Sequence, residues 1–336
     1  MKQYKPLLIT AAGLCGAGIL VAGAAFCMTG FRFSGLSTIT HEERKTVIVE
    51  SADMSSLSLD VSNQPVEVIP SADGKTRIHY VERDRDQYDF EDLGGAVRFT
   101  HSIEGSVVNN PFTDGLFSGF FLLGRKVVIE LPADTGAVLD LRTTNSSMKV
   151  SDLRTSGNVA LKTTNGAIRV VDVECAGSLS AVTTNSSITL RQVTGNGVSL
   201  ESTNGSLSLE DVKSGSALSG GTTNGSISVR DASCEKALFV TDNGSIHLDR
   251  LSAAVQMEAR TKNASIHTDV LKSPIIRLFS TNGSLKGTLA GRQEDYYIDT
   301  STTNSTSNLG TNLNDTLPGR LEARTTNGSI RLEFTG

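Results

Sequence analysis

Short runs of alternating apolar and polar residues begin at Thr46, and from Leu139 onward the alternation repeats with a fixed period. Each repeat centres on a stretch such as Thr222-Thr223-Asn224-Gly225-Ser226-Ile227. Its Asn recurs as Asn145, Asn165, Asn185, Asn204, Asn224, Asn243, Asn263, Asn282, Asn304 and Asn327, at intervals of 19 or 20 residues that lengthen to 22 and 23 at the end. Aligned on that Asn, the column six residues earlier holds Leu139, Val159, Leu179, Val198 and Leu218. The column two earlier holds Thr143, Thr163, Thr183, Ser202 and Thr222. Three residues after the Asn come Met148, Ile168, Ile188, Leu207 and Ile227, and five after come Val150, Val170, Leu190, Leu209 and Val229. Arg, Lys, Glu, Asp and Ser fill the positions between. Period-two alternation on both sides of the Asn predicts two half-buried strands joined by a turn. Asn and Gly tolerate positive φ, which suits them to that turn.

Asn-Gly also closes isolated hairpins. A meander of hairpins places unlike strands side by side, whereas here like residues return every 20 positions. The period therefore predicts that each strand pairs in parallel with its equivalent in the next coil. The result is an all-β parallel β-solenoid of about ten 20-residue rungs spaced about 4.8 Å apart. Parallel crossovers favour a right-handed coil. The solenoid is expected over 132–336. Strand-like runs, turns and a loop ending Phe117-Ser118-Gly119-Phe120-Phe121 make 46–131 the expected N-terminal β cap, since an open stack end exposes unpaired backbone and apolar side chains. Ser307 and Asn312 stand where other rungs carry apolar residues, so 308–315 is read as a bulge before a final rung at 320–334.

Upstream, Lys2 and Lys5 precede an uncharged Ala- and Gly-rich run from Leu7 to Met28. A helix over 7–29 would be long enough to span a bilayer, with 1–6 as a cytoplasmic tail, 30–45 as a linker and the body outside. Ala22-Gly23-Ala24 leaves a cleaved signal peptide as the alternative, and Phe26 before Cys27 argues against a lipoprotein signal. Both readings export the body.

Composition fits a thin stacked core. Of 336 residues 38% are hydrophobic, only 5% are aromatic and none is Trp. A net charge of −5 with interspersed signs argues against a nucleic-acid partner. Cys175 and Cys234 fall in one column three rungs apart, roughly 14 Å at the spacing above, so both are expected as free thiols.

The Pro-Val-Glu-Val-Ile-Pro-Ser-Ala-Asp strand and turn, the Phe-Phe loop, the Ile-Glu-Leu-Pro-Ala-Asp entry and the serial Thr-Thr-Asn-Gly-Ser-Ile rungs together resemble the DUF4097 family of β-strand-repeat proteins. That family includes cell-envelope stress proteins of the LiaG and LiaX type and is often labelled adhesin. The resemblance covers residues 46–336 and implies a cell-surface role with no catalytic residues to carry over.

The residues support few chemical sites. His247, Asp249, His267 and Asp269 lie in equivalent outward columns of adjacent rungs, which makes them the one divalent-metal candidate. Against it, outward positions are polar throughout and nothing encloses the four groups. Sequons at Asn145, Asn185, Asn204 and Asn224 are accounted for by the turn ladder. A carbohydrate-cleaving enzyme needs carboxylates gathered in a cleft, and Asp140, Glu201, Glu210 and Glu322 are scattered among columns. No catalytic residue or cofactor is assigned. Two non-enzymatic readings remain: a membrane-anchored surface module that binds a protein or glycan ligand, and a structural or envelope-stress scaffold that self-associates end to end through an uncapped final rung.

Overall fold

The structure, a computed structural model, describes residues 42–49, 54–83, 86–103 and 125–336. The chain divides into a small unit, Met1–Glu43 with Glu82–Arg85, and a large unit, Arg44–Val81 with Asp86–Gly336. In the small unit Arg83 and Glu42 form an ion pair. The segment 7–29 and the Phe-rich loop lie outside the described residues. Among the described residues no helix is long and apolar enough to cross a membrane.

The large unit is a parallel β-solenoid, in the register that the column alignment predicts. Val159 lies beside Leu139 and Leu179, Ile168 beside Met148 and Ile188, and Val170 beside Val150 and Leu190. These side chains are buried. Each fully buried Val, Leu or Ile contributes about 1.5–3 kcal/mol relative to exposure, so a single rung is marginal and the stack is stable only as a stack. Inside it, bulk is traded between neighbouring rungs. A Cβ on Gly220 would lie 3.1 Å from the ring of Phe239, its register partner, so the missing side chain makes room for that ring.

The turns differ from expectation in one respect. Apart from Asn63, no ladder Asn has positive φ, and the left-handed residues instead form a separate column seven positions later. Asp152, Asp172, Gln192, Asp211, Asp231, Arg250 and Val270 have φ between 51° and 56°. One left-handed residue bends the strand and resets its alternation, so a third buried face follows. That face carries Leu153, Val173, Val193, Val212, Ala232, Leu251 and Leu271, all buried.

The Thr-Thr-Asn-Gly turn is held by side chains. The buried Thr222 hydroxyl donates to Gly205 O of the previous rung at 2.9 Å and accepts from Gly225 N at 3.2 Å. Gly at 225 is required by close approach, because a Cβ there would lie 2.0 Å from Gly205 O. Ser146, Ser186 and Ala264 occupy this position elsewhere, so that approach belongs to particular rung pairs.

Both ends of the stack are interleaved. Residues within the expected cap form a true rung: Ser56–Val61 pairs with Val138–Thr143, Val66–Val68 pairs with Met148–Val150, and Asn63 opens the Asn ladder. Beyond it stand two strands from later in the chain, Ala96–Ile103 and Val127–Leu131. Antiparallel strands cover those in turn, with Asp86–Asp92 on the first and Arg77–His79 on the second.

At the other end the rung that is last in sequence is not last in space. Gly319–Thr325 lies between Ile275–Ser280 and Tyr296–Thr302. The outermost edge there is blunted. Asn312 makes an antiparallel bridge to Ile298, and the Asn308 side chain both donates to Leu332 O at 2.9 Å and accepts from Leu332 N at 3.0 Å, in place of a further strand. The expectation of an uncapped final rung at 320–334 is therefore corrected.

Candidate functional site

The structure places the four metal candidates as the register requires but does not gather them. The His247 and His267 rings stack, with centroids 4.9 Å apart and planes within 4°. Asp249 pairs instead with Arg230 at 3.2 Å and Arg250 at 2.7 Å, and Asp269 accepts from the Thr288 hydroxyl at 3.0 Å. Burial, with His247 and Lys286 nearby, holds His267 below its ordinary pKa. Among the described residues no three His, Cys, Asp or Glu side chains come together as a metal site.

Three of the four scattered carboxylates, Asp140, Glu210 and Glu322, face arginines rather than one another. Asp140 binds Arg142 at 2.8 Å, Glu210 binds Arg191 at 3.0 Å and Glu322 binds Arg324 at 2.8 Å. Cys175 and Cys234 are free and buried, and burial raises both thiols, Cys234 to about 11. Neither is poised as a nucleophile.

The ladder asparagines form a continuous amide chain. Each Nδ2 donates to the Oδ1 of the rung before, as in Asn165 to Asn145 at 2.5 Å and Asn224 to Asn204 at 2.7 Å. This explains Asn at the turn without any positive φ, and it engages the side chains at which the sequons would be modified.

Two features went unread in the sequence. The first is a buried polar cluster near the N-terminal end of the stack. Asp86 Oδ1 lies 3.1 Å from His101 Nε2, and the same carboxylate pairs with Arg125. The Tyr88 ring packs 4.7 Å from that of His101, tilted by 34°, and its hydroxyl accepts a hydrogen bond from Gln64 at 2.5 Å. Burial works to raise the Asp86 carboxyl, but bonds from His101 and Arg125 outweigh it and hold the group below its ordinary range. Asp86, Tyr88, His101 and Arg125 come from runs with no shared period, so nothing in the sequence announces the cluster.

The second is an open groove of about 630 Å³ along the third face, spanning five rungs. Asp134, Arg154, Glu174, Thr194 and Lys213 form one wall at the rung period, and small residues such as Ser156, Ala176 and Gly215 leave the trough beside them. Arg154 sits 3.4 Å from Glu174 and 3.9 Å from Asp134, while Lys213 has no ion-pair partner among the described residues. The signal was available as a column nine positions after each Asn, once the left-handed bend is known to turn that column outward.

The large unit is a coiled parallel sheet whose repeat motif is structural and whose variable positions face outward. The Toastrack DUF4097 family model matches residues 54–304, and the chain belongs to that family. No curated protein is similar to it. Two solved structures share a distant likeness. One is a "putative adhesin" from Bacteroides fragilis NCTC 9343, with 11% identity over 87% of this chain and 97% of that one at a TM-score of 0.36. The other is a "putative cell adhesion protein" from Clostridium sporogenes ATCC 15579, with 9% identity over 88% and 100% at a TM-score of 0.20.

Proposed function

We propose that this chain is an exported, non-enzymatic binding module of the adhesin type, tethered to the membrane by a single helix over 7–29 with its N-terminus inside. The β-solenoid presents its variable outward columns to a protein or glycan at the cell surface. The groove from Asp134 to Gly215 carries this reading. It is open, it crosses several rungs and it combines an uncommitted lysine with a guanidinium held between two acids. Such a trough suits an extended ligand held by many modest contacts, each polar one worth about 1 kcal/mol, with affinity gained by multivalency. Carboxylates engaged by arginine on an open surface do not make an acid–base pair.

The test has two readouts on the full chain. Protease added to intact cells should cut the body without lysis. Beads coated with the protein should bind envelope fragments and lose that binding in the Arg154→Ala, Lys213→Ala variant. Protection of the body until lysis contradicts export, and unchanged bead binding contradicts the groove.

The scaffold reading is favoured by one observation of its own, the C-terminal rung that lies inside the stack. End-to-end stacking draws no support from the blunted outer edge.

A further inference from the structure

The C-terminal rung occupies a slot whose two walls belong to other parts of the chain. Gly319–Thr325 is hydrogen-bonded to Ile275–Ser280 on one side and Tyr296–Thr302 on the other, and Ile330–Thr335 pairs with Leu285–Ala290. Asn327 donates to Asn282 and accepts from Asn304, and Arg324 reaches Asp299 at 2.7 Å. The buried Tyr296 fastens the insert. Its ring lies across Gly319, where a Cβ would come within 2.7 Å of it. Its hydroxyl continues past the insert to donate to Ser273 O at 2.9 Å, and its ring also packs 5.2 Å from Phe334 at the far end of the same rung. The strands that hold the insert reach it only through the segment 309–318, whose residues beyond Leu309 are exposed or half-buried.

We propose that this rung is exchangeable, and that a second copy of the chain supplies it in a reciprocally swapped dimer. The same contacts form whichever molecule provides the insert, so the swapped and closed forms differ in the linker and in concentration rather than in the slot. Ten linker residues reach roughly 33 Å when extended, enough to cross to a neighbour. The slot is specific for this chain's own rung through the Arg324–Asp299 pair and through the glycine beneath Tyr296. Extending the linker releases the Asn312 bridge to Ile298, but Asn308 precedes the linker and can cap Leu332 of either molecule's insert, so reciprocal exchange closes at two chains. The inference does not depend on what the groove binds.

Two full-length versions, both carrying Cys15→Ser and Cys27→Ser, test it. One adds Asn282→Cys and the other Asn327→Cys. These positions occupy adjacent rungs about 4.8 Å apart, within disulfide reach. Unfolded together, refolded at high concentration and oxidised, the mixture should yield a covalent heterodimer. A single chain carrying both cysteines, refolded dilute, should close internally and confirms that the pair can form. Deleting residues 314–317 shortens the linker and should raise the dimer fraction at least tenfold by light scattering, because a strained hinge favours exchange. The proposal is overturned if the double-cysteine chain links internally while the mixture gives only unlinked monomers, or if the shortened chain remains monomeric.

Discussion

The Asn327 amide donates to Asn282 Oδ1 at 2.7 Å across 45 residues of sequence, and Asn304 donates to Asn327 at 2.6 Å. The ladder therefore runs 282, 327, 304, and it has a polarity. Every internal amide both donates and accepts, whereas the first member, Asn63, only accepts. Asn224→Asp removes a donor and sets two acceptors face to face, so it should cost about 1–3 kcal/mol in denaturant unfolding. Asn63→Asp keeps its acceptor and should be close to neutral. Equal effects at the two sites contradict the polarity.

Val270 is a β-branched residue at φ 51° and is exposed. The left-handed region costs such a residue about 1–2 kcal/mol, and Asn less. Val270→Asn should therefore raise stability by roughly 1 kcal/mol, read as an upward shift in Tm. The same change in the conformation assumed at the repeat Asn would gain nothing.

Gly220 makes room for Phe239. Gly220→Leu should be destabilising by about 1–3 kcal/mol through overpacking, and the added Phe239→Ala should recover part of that loss. Double-mutant unfolding that is strictly additive would show that the two positions do not share the space.

The buried Asp86 carboxyl is held low by His101 and Arg125. A carboxyl depressed in the folded state stabilises above its unfolded value of about 3.9, and that contribution is lost as pH falls through the folded value. Wild-type stability should fall on the acid side more steeply than that of Asp86→Asn. At neutral pH the variant should be weaker by roughly 3–5 kcal/mol, because the half-buried Arg125 loses its counter-charge. Parallel acid limbs in the two proteins would contradict this.

Much of the solenoid could be read from the sequence because parallel stacking demands like over like. Leu139 under Val159 under Leu179 is a periodic signal that survives without any alignment. The third face stayed hidden because Asp172 and its equivalents reset the alternation with a left-handed residue, so Val173 looked out of phase. Stack order stayed hidden for a different reason. Rungs with the same motif are interchangeable in pattern, and only particular contacts, such as Tyr296 across Gly319, decide which neighbour each receives. The groove was hidden by the bend alone, since Arg154 and Lys213 face outward only after it while their rungs stack in sequence order. The Asp86–His101–Arg125 cluster has no period to read.

In this chain the motif that builds the stack is separate from the outward columns proposed to bind. Bead adhesion to envelope fragments and thermal unfolding, measured side by side on two variants of the full chain, test that division most directly. Arg154→Ala with Lys213→Ala should lower adhesion at least tenfold while leaving Tm within about a degree, as expected of surface substitutions. Asn224→Asp should lower Tm and leave the adhesion of the folded protein intact. Full adhesion by the groove variant, or loss of adhesion by folded Asn224→Asp, would contradict it.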